Sequence, residues 1–332
     1  MQHDHHDSHG HGHHHAHDDG HGHRHHHGHG HGHGHHHHHH GQGSHGPAFA
    51  IAVGLNLALV GAQVGAGIVG HSTALLADAG HNFSDVLALL LAWGAGRLAA
   101  RPPSQRFTYG FKSTSILAAL ANAALLWVAL GAILIETLRQ FVHPQPVAAP
   151  LVIGVAAAGI MINGLSAALF MRGAKEDLNL RAAFQHLLGD AAVSLGVVVA
   201  GVVVWRTGAN WVDPLASLVI TGLIGWGSWG LLREAVRLAL QAVPDGIDGT
   251  AVRDYLAEQA GVSAVHDLHI WAMSTTETAL TAHLTMPAGH PGDPWIHALA
   301  GQMEHRFGIG HVTIQVETDD AAACVLHPEG VV

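Results

Sequence analysis

The chain has 332 residues, of which 11% are charged and 48% hydrophobic, with Gly at 42 further positions; ordinary soluble domains carry about 25% charged residues. Its formal net charge is −10 with His neutral, and it has a single cysteine, Cys324. These values exclude a nucleic-acid binder, which needs a basic face for phosphate, an internally disulfide-bonded scaffold, and a chain disordered throughout.

The first 46 residues contain 24 of the 36 His, together with four Asp and one Arg. Almost nothing there is able to bury a core, so residues 1–46 read as a disordered leader. Irregular His-Gly repeats, such as His21 to His23, flank the run His35 to His40. That setting favours a natural metal-binding tract over a purification tag. Imidazole at this density binds zinc, copper or nickel loosely and with little selectivity.

Residues 47–240 hold eight acids and eleven bases and read as a membrane domain. Six apolar stretches run from about 48 to 69, 73 to 96, 114 to 135, 148 to 171, 182 to 204 and 214 to 232. Each has the roughly 20 residues that a bilayer-spanning helix needs. Any one of them suits a buried soluble helix, but six in succession with short connections do not. The polar leader before the first span also rules out a cleavable signal with a basic start. Arg97, Arg101, Arg106, Lys112, Arg172, Lys175, Arg181, Arg233 and Arg237 fall on one side, against Arg139 and Arg206 on the other. This imbalance predicts a multi-pass membrane protein with both termini in the cytoplasm. Trp93, Trp205, Trp211 and Trp229 stand near span ends, where interfacial aromatics collect.

The second span carries Asp78, His81, Asn82 and Asp85, and the fifth carries His186 and Asp190. Ionisable groups inside a span face a bundle interior or a water-filled cavity. His81 and Asp85 are four residues apart and so share one helix face, and His186 and Asp190 repeat the spacing. Face to face, the two pairs offer two imidazole nitrogens and two carboxylates, a set suited to tetrahedral Zn²⁺. The plain alternative is helix–helix hydrogen bonding, which two matched His-x-x-x-Asp pairs make the weaker reading. Asp78 reads as a partner that orients His81 rather than a fifth ligand. Asn56, Gln63, Asn122 and Asn163 either line the same polar path or bond between helices. Gly61 and Gly65 mark close helix packing, and Asp213-Pro214 reads as the cap and first turn of the sixth span.

Residues 241–332 hold twelve acids and two bases. A helix over 249–260, strands over 264–272 and 278–286, a helix over 294–307 and a strand over 311–317 give the order αββαβ. That is a compact two-layer α/β domain over 241–318, followed by a loose tail, 319–332. His266, His269, His283, His311 and Glu317 are its candidate ligands. His266 and His269 point to opposite faces of a regular strand, so they share an ion only if the strand begins irregularly. His269 and His283 on neighbouring strands, with Glu317 on the third, are plausible partners; surface histidines of a small sheet are the bland alternative. Cys324 and His327 form a further pair, more simply read as part of the loose tail.

These motifs resemble one family. STALLADAGHNFSD at 72–85, RFTYGF at 106–111, HLLGD at 186–190, HDLHIW at 266–271 and HVTIQVE at 311–317 resemble, in order, those of the cation diffusion facilitators. The likeness spans about 48–318 and is nearest to the bacterial zinc, cobalt and cadmium efflux branch and its eukaryotic zinc-transporter relatives. It implies a homodimer with six transmembrane helices per subunit and a ferredoxin-like cytoplasmic domain. It also implies exchange of a divalent cation for protons by alternating access, with His81, Asp85, His186 and Asp190 as the transport site. Some members place ligands in the loop after the second span. Arg101 to Lys112 contains no His, Asp or Glu, so no metal site is expected there. Where relatives carry an acid before Val-Pro, this chain has Gln241, and no salt bridge is expected from that position.

Two functions remain to be compared. The first is proton-coupled efflux of divalent cations, chiefly Zn²⁺, with Co²⁺, Cd²⁺ and Ni²⁺ as further candidates. Histidine's ordinary pKa of about 6.5 lets protons and metal compete for the same nitrogens. The second is a membrane-anchored metal-binding or sensing protein without transport, which has no use for ligands inside the spans. An enzyme has no support, since a His-Glu-x-x-His helix is missing from the sequence. Zn²⁺ is expected both as cargo and as a regulatory ion of the small domain, and no organic cofactor is implied.

Overall fold

The structure is a computed structural model that describes residues 47–171 and 178–318. The His-rich leader, Arg172, Lys175, Cys324 and His327 lie outside the described residues.

Helices α1 (Pro47–Val69), α2 (Thr73–Ala99), α3 (Thr114–Val142), α4 (Ala149–Phe170), α5 (Leu178–Thr207) and α6 (Val212–Ala239) form a bundle. Five of them, α2 to α6, are long and apolar enough to cross a membrane, and α1 adds a shorter apolar stretch, Gly54–Val69. The bundle turns its apolar side chains outward: Trp226 is 87% exposed, and Val128, Ile135 and Leu223 are exposed as well. Its interior holds both an apolar cluster around Leu75, Leu126, Leu130, Val152, Val197 and Ile220 and several fully buried polar groups. Polar groups inside and apolar groups outside is the inversion that a lipid solvent imposes.

The start of α2 is held from another helix. Ser72 is its N-cap and accepts the amide of Leu75. The Asp213 carboxylate accepts Ser72 Oγ at 2.5 Å and the Thr73 amide at 2.8 Å. Asp213 does not cap its own helix, as its place before Pro214 predicts: α6 begins after Trp211 with no side-chain cap, and Asp213 serves α2. Pro214 still sits in the first turn of α6, where a missing N–H costs nothing. Neighbouring connections tie into the same end of the bundle, with Ala148 N donating to Gly70 O and Gln140 Nε2 to His71 O.

The C-terminal domain comprises α7 (Gly249–Ala257), β1 (Ala264–Ala272), β2 (Thr278–Thr285), α8 (Asp293–Phe307) and β3 (Ile309–Glu317), the predicted order. The sheet order is β1-β2-β3, with β1 and β2 antiparallel and β2 and β3 parallel. The parallel pair needs a crossover, which α8 supplies. Val252 and Leu256 of α7 and Leu299 and Met303 of α8 pack on Ile270, Leu280, Ala282, Leu284 and Ile309, so both helices cover one face of the sheet.

The domain meets the bundle at the α2–α3 connection. Lys112 pairs with Glu277, Ser113 Oγ donates to Met273 O, Thr275 N donates to Ser115 Oγ, and Tyr109 packs edge-on against His311. The basic loop after the second span and the acidic domain therefore lie on one face of the bundle.

Candidate metal centres

In α2, one turn separates His81 from Asp85, and in α5 one turn separates His186 from Asp190, so each pair projects from one face. The two helices run antiparallel at this point and the pairs cross. His81 Nε2 lies 3.2 Å from Asp190 Oδ1 and 3.8 Å from Asp85 Oδ2. His186 Nε2 lies 3.4 Å from Asp85 Oδ2 and 3.7 Å from Asp190 Oδ2. Each imidazole thus faces a carboxylate from its own helix and one from the other. A tetrahedron with zinc-length bonds of about 2.1 Å has edges of about 3.4 Å, which these separations bracket. Ligand atoms of His81, Asp85 and Asp190 all lie within 4.8 Å of one another. His186 joins through its two carboxylate contacts and is the most exposed of the four, at 39%. Two carboxylates in a partly dehydrated site match the charge of one divalent cation.

Beside this cluster lies a fully buried polar group centred on Asp78. Its Oδ2 accepts Gln63 Nε2 at 2.7 Å and Ser194 Oγ at 2.8 Å. Asn82 Nδ2 donates to Gln63 Oε1 at 3.1 Å and approaches Asp78 Oδ1 at 3.5 Å. Asp78 therefore does not orient His81 through a hydrogen bond, as the spacing predicts; its partners lie on α1, on α5 and at Asn82. Gln63 and Asn122 make interhelical bonds, Asn122 to Ser84 Oγ at 3.4 Å. Ser194 escapes a sequence reading because serine is ordinary in a span, although its place four residues beyond Asp190 extends the same face.

In the C-terminal domain, His266 Nε2 lies 3.1 Å from Glu317 Oε2 and His283 Nδ1 lies 3.1 Å from Glu317 Oε1. These three residues form one ligand-competent group, with both histidines buried. His269 stands apart from it, bonded to Asp267 Oδ1 at 2.9 Å, while Asp267 Oδ2 lies 3.5 Å from His283 Nε2. The strand is indeed irregular. Its register shifts between His266 and His269, and Asp267 has φ of 49°, a left-handed conformation that Asp tolerates better than most residues. Val265, Leu268 and Ile270 all pack toward the helices, so the bulge turns His266 and His269 to the open face together. Asp267 is the residue that strand alternation does not reveal. His311, also a candidate, packs against Tyr109 instead of joining the cluster.

Two family models match the chain. The cation efflux transmembrane domain covers residues 49–238, and the cytoplasmic domain of cation efflux proteins covers residues 244–319. The chain is 33% identical over 266 residues to the zinc transporter ZitB of Escherichia coli (strain K12), covering 80% of this chain and 85% of that protein. It is 33% identical over 266 residues to the metal cation efflux system protein CzcD of Cupriavidus metallidurans, covering 79% and 84%. A cadmium, cobalt and zinc/H(+)-K(+) antiporter of Bacillus velezensis is 32% identical over 263 residues, covering 76% and 82%.

Proposed function

The chain belongs to the cation efflux family, and from that premise we propose that it exports divalent metal ions, chiefly Zn²⁺, from the cytoplasm in exchange for protons. It is a membrane protein of metal cation efflux and not an enzyme. Co²⁺, Cd²⁺ and Ni²⁺ are further substrates on this reading.

The observation that carries the proposal is the crossed cluster of His81, Asp85, His186 and Asp190 between two membrane helices, with separations of 3.2 to 3.8 Å. These four residues hold the ion during its passage. Ligands bind metal only when deprotonated, so protons arriving from a more acidic exterior displace the ion and take its place. Alternating access then carries protons inward and metal outward. A protein that is merely anchored in the membrane has no use for such a cluster in mid-span.

The working unit is a homodimer of six-span subunits in the plasma membrane, with both termini cytoplasmic and a ferredoxin-like C-terminal domain. The clustering of the basic α2–α3 loop with that domain on one face supports the orientation, since basic loops stay in the cytoplasm. His266, His283 and Glu317 hold a second, regulatory ion in each subunit, with His269 outside the group and bonded to Asp267. The His-rich residues 1–46 gather or buffer metal ions.

Uptake of Zn²⁺ into inside-out vesicles, with and without an imposed proton gradient, tests the proposal. Uptake that rises with the gradient and dissipates it is expected. Uptake indifferent to the gradient overturns the proton exchange, and no uptake overturns the transport.

A further inference from the structure

Three contacts cross between α2 and α5 in antiparallel register. Asp85 faces His186 at 3.4 Å, His81 faces Asp190 at 3.2 Å, and Asp78 faces Ser194 at 2.8 Å. The first two belong to the metal ligands, while the third has no ligand role. It is also the one that is wholly buried: Asp78, Ser194 and Gln63 are each 0% exposed. The hydrogen bonds to Asp78 come from neutral groups, Gln63 Nε2, Ser194 Oγ and Asn82 Nδ2. A buried carboxylate held this way stabilises a fold poorly, and the best-attested use of such groups is to fix register between packed elements. The fourth wall is shaped to fit. A Cβ on Gly159 of α4 would lie 3.2 Å from Ser194 Oγ and 3.5 Å from Gln63 Nε2, so glycine leaves room for the bond.

We propose that Asp78 and Ser194, with Gln63 of α1 holding the Asp78 carboxylate in place, form a register clamp that fixes α5 against α2 and thereby sets which ion the four ligands accept. This rests on the reading of His81, Asp85, His186 and Asp190 as the transport site. The clamp lies one turn from His81 on α2 and one turn from Asp190 on α5. Sliding a helix by one residue moves its side chains about 1.5 Å along the axis and turns them about 100°. Even a fraction of that displacement changes the 3.2 to 3.8 Å separations that match zinc-length bonds. With α5 held, the cluster favours Zn²⁺. With α5 released, it opens to the larger, softer Cd²⁺. The three are positioning residues: they act through the ligands and do not touch the ion.

The test uses the full-length protein in proteoliposomes, measuring Zn²⁺ transport and its inhibition by Cd²⁺. Ser194→Ala removes one hydroxyl and Gln63→Leu removes the second donor. Each should lower the preference for Zn²⁺ over Cd²⁺ about tenfold, the weight of one hydrogen bond to a charged group. The change should fall on the Zn²⁺ KM more than on the maximal rate, and Ser194→Thr, which keeps the hydroxyl, should restore the preference. Thr137→Ala breaks a comparable buried bond, Thr137 Oγ1 to Ser217 Oγ at 2.8 Å between α3 and α6, and should leave it untouched. Wild-type preference in folded Ser194→Ala and Gln63→Leu dimers overturns the clamp, as does an equal loss in Thr137→Ala. Asp190→Asn separates the two readings. Full transport by that variant overturns the transport site itself, whereas its loss beside an unchanged Ser194→Ala overturns the clamp alone.

Discussion

The Asp213 carboxylate, in the first turn of α6, holds Ser72, the residue that begins α2, through a 2.5 Å hydrogen bond and is itself only 2% exposed. The same carboxylate accepts the Thr73 amide at 2.8 Å, so α2 starts where α6 allows it to start. Asp213→Ala strips a helix cap and leaves buried donors unmatched, a loss of about 3 kcal/mol. Asp213→Asn, which keeps one accepting oxygen, should lose less. Thermal unfolding of the detergent-solubilised protein, followed by tryptophan fluorescence, ranks the two, and equal stability of wild type and Asp213→Ala would show that the cap carries no weight.

Lys112 and Glu277 make the opposite case. Their ion pair joins the α2–α3 loop to the C-terminal domain, but the two side chains are 33% and 47% exposed. Exposed pairs contribute about 1 kcal/mol at most, so Lys112→Ala should shift unfolding little, and less still in high salt. A shift as large as that of Asp213→Ala would mean that the joint is far better shielded than its exposure indicates.

At the proposed transport site, Asp85→Ala or Asp190→Ala each removes an anionic candidate ligand and leaves three. Both variants should reduce Zn²⁺ uptake in inside-out vesicles to background while the protein still elutes as a folded dimer. Asp190, the more buried of the two at 7% against 32%, should tolerate replacement least. Wild-type uptake by either variant would remove that residue from the site.

For the C-terminal domain, the distances separate the five histidine and acid candidates that the sequence offers. In a chain lacking residues 1–45, His283→Ala and Glu317→Ala should each lower bound zinc by one ion per subunit, read by elemental analysis after dialysis. His269→Ala should not, because its ring is tied to Asp267 and half-exposed. If His269→Ala loses the ion and His283→Ala keeps it, the grouping is wrong. The same truncated chain should transport at the full rate when metal is saturating and fall behind only when metal is scarce, because a His-rich tract that carries none of the four candidate ligands raises local ion supply without shaping the site.

Much of the membrane domain is legible in the sequence because length and apolarity suffice to mark a span, and because His-x-x-x-Asp places two candidate ligands on one helix face whatever the helix packs against. The order αββαβ is legible for a similar local reason. What is not legible depends on partners distant in the chain. Asp213-Pro214 carries a local capping signal, yet its carboxylate is taken up 140 residues away by Thr73. Ser194 has no distinctive signal at all until α5 is laid beside α2. In β1, alternation predicts opposite faces for His266 and His269, and only the left-handed turn at Asp267 reverses that.

The antiparallel seam between α2 and α5 also constrains how such a chain is able to vary. Residues 78, 81 and 85 meet 194, 190 and 186 at helical spacings, three and four on α2 and four and four on α5, so the seam works as a ruler on each helix. A single inserted residue between His81 and Asp85 would swing everything beyond it by about 100° around the axis, carrying the carboxylate off the seam although no ligand has been replaced. The connections outside the bundle carry no such ruler. Changes of length among descendants of this sequence should therefore collect in the connections, and substitutions, not insertions or deletions, should be the only tolerated changes between Asp78 and Asp85 and between His186 and Ser194.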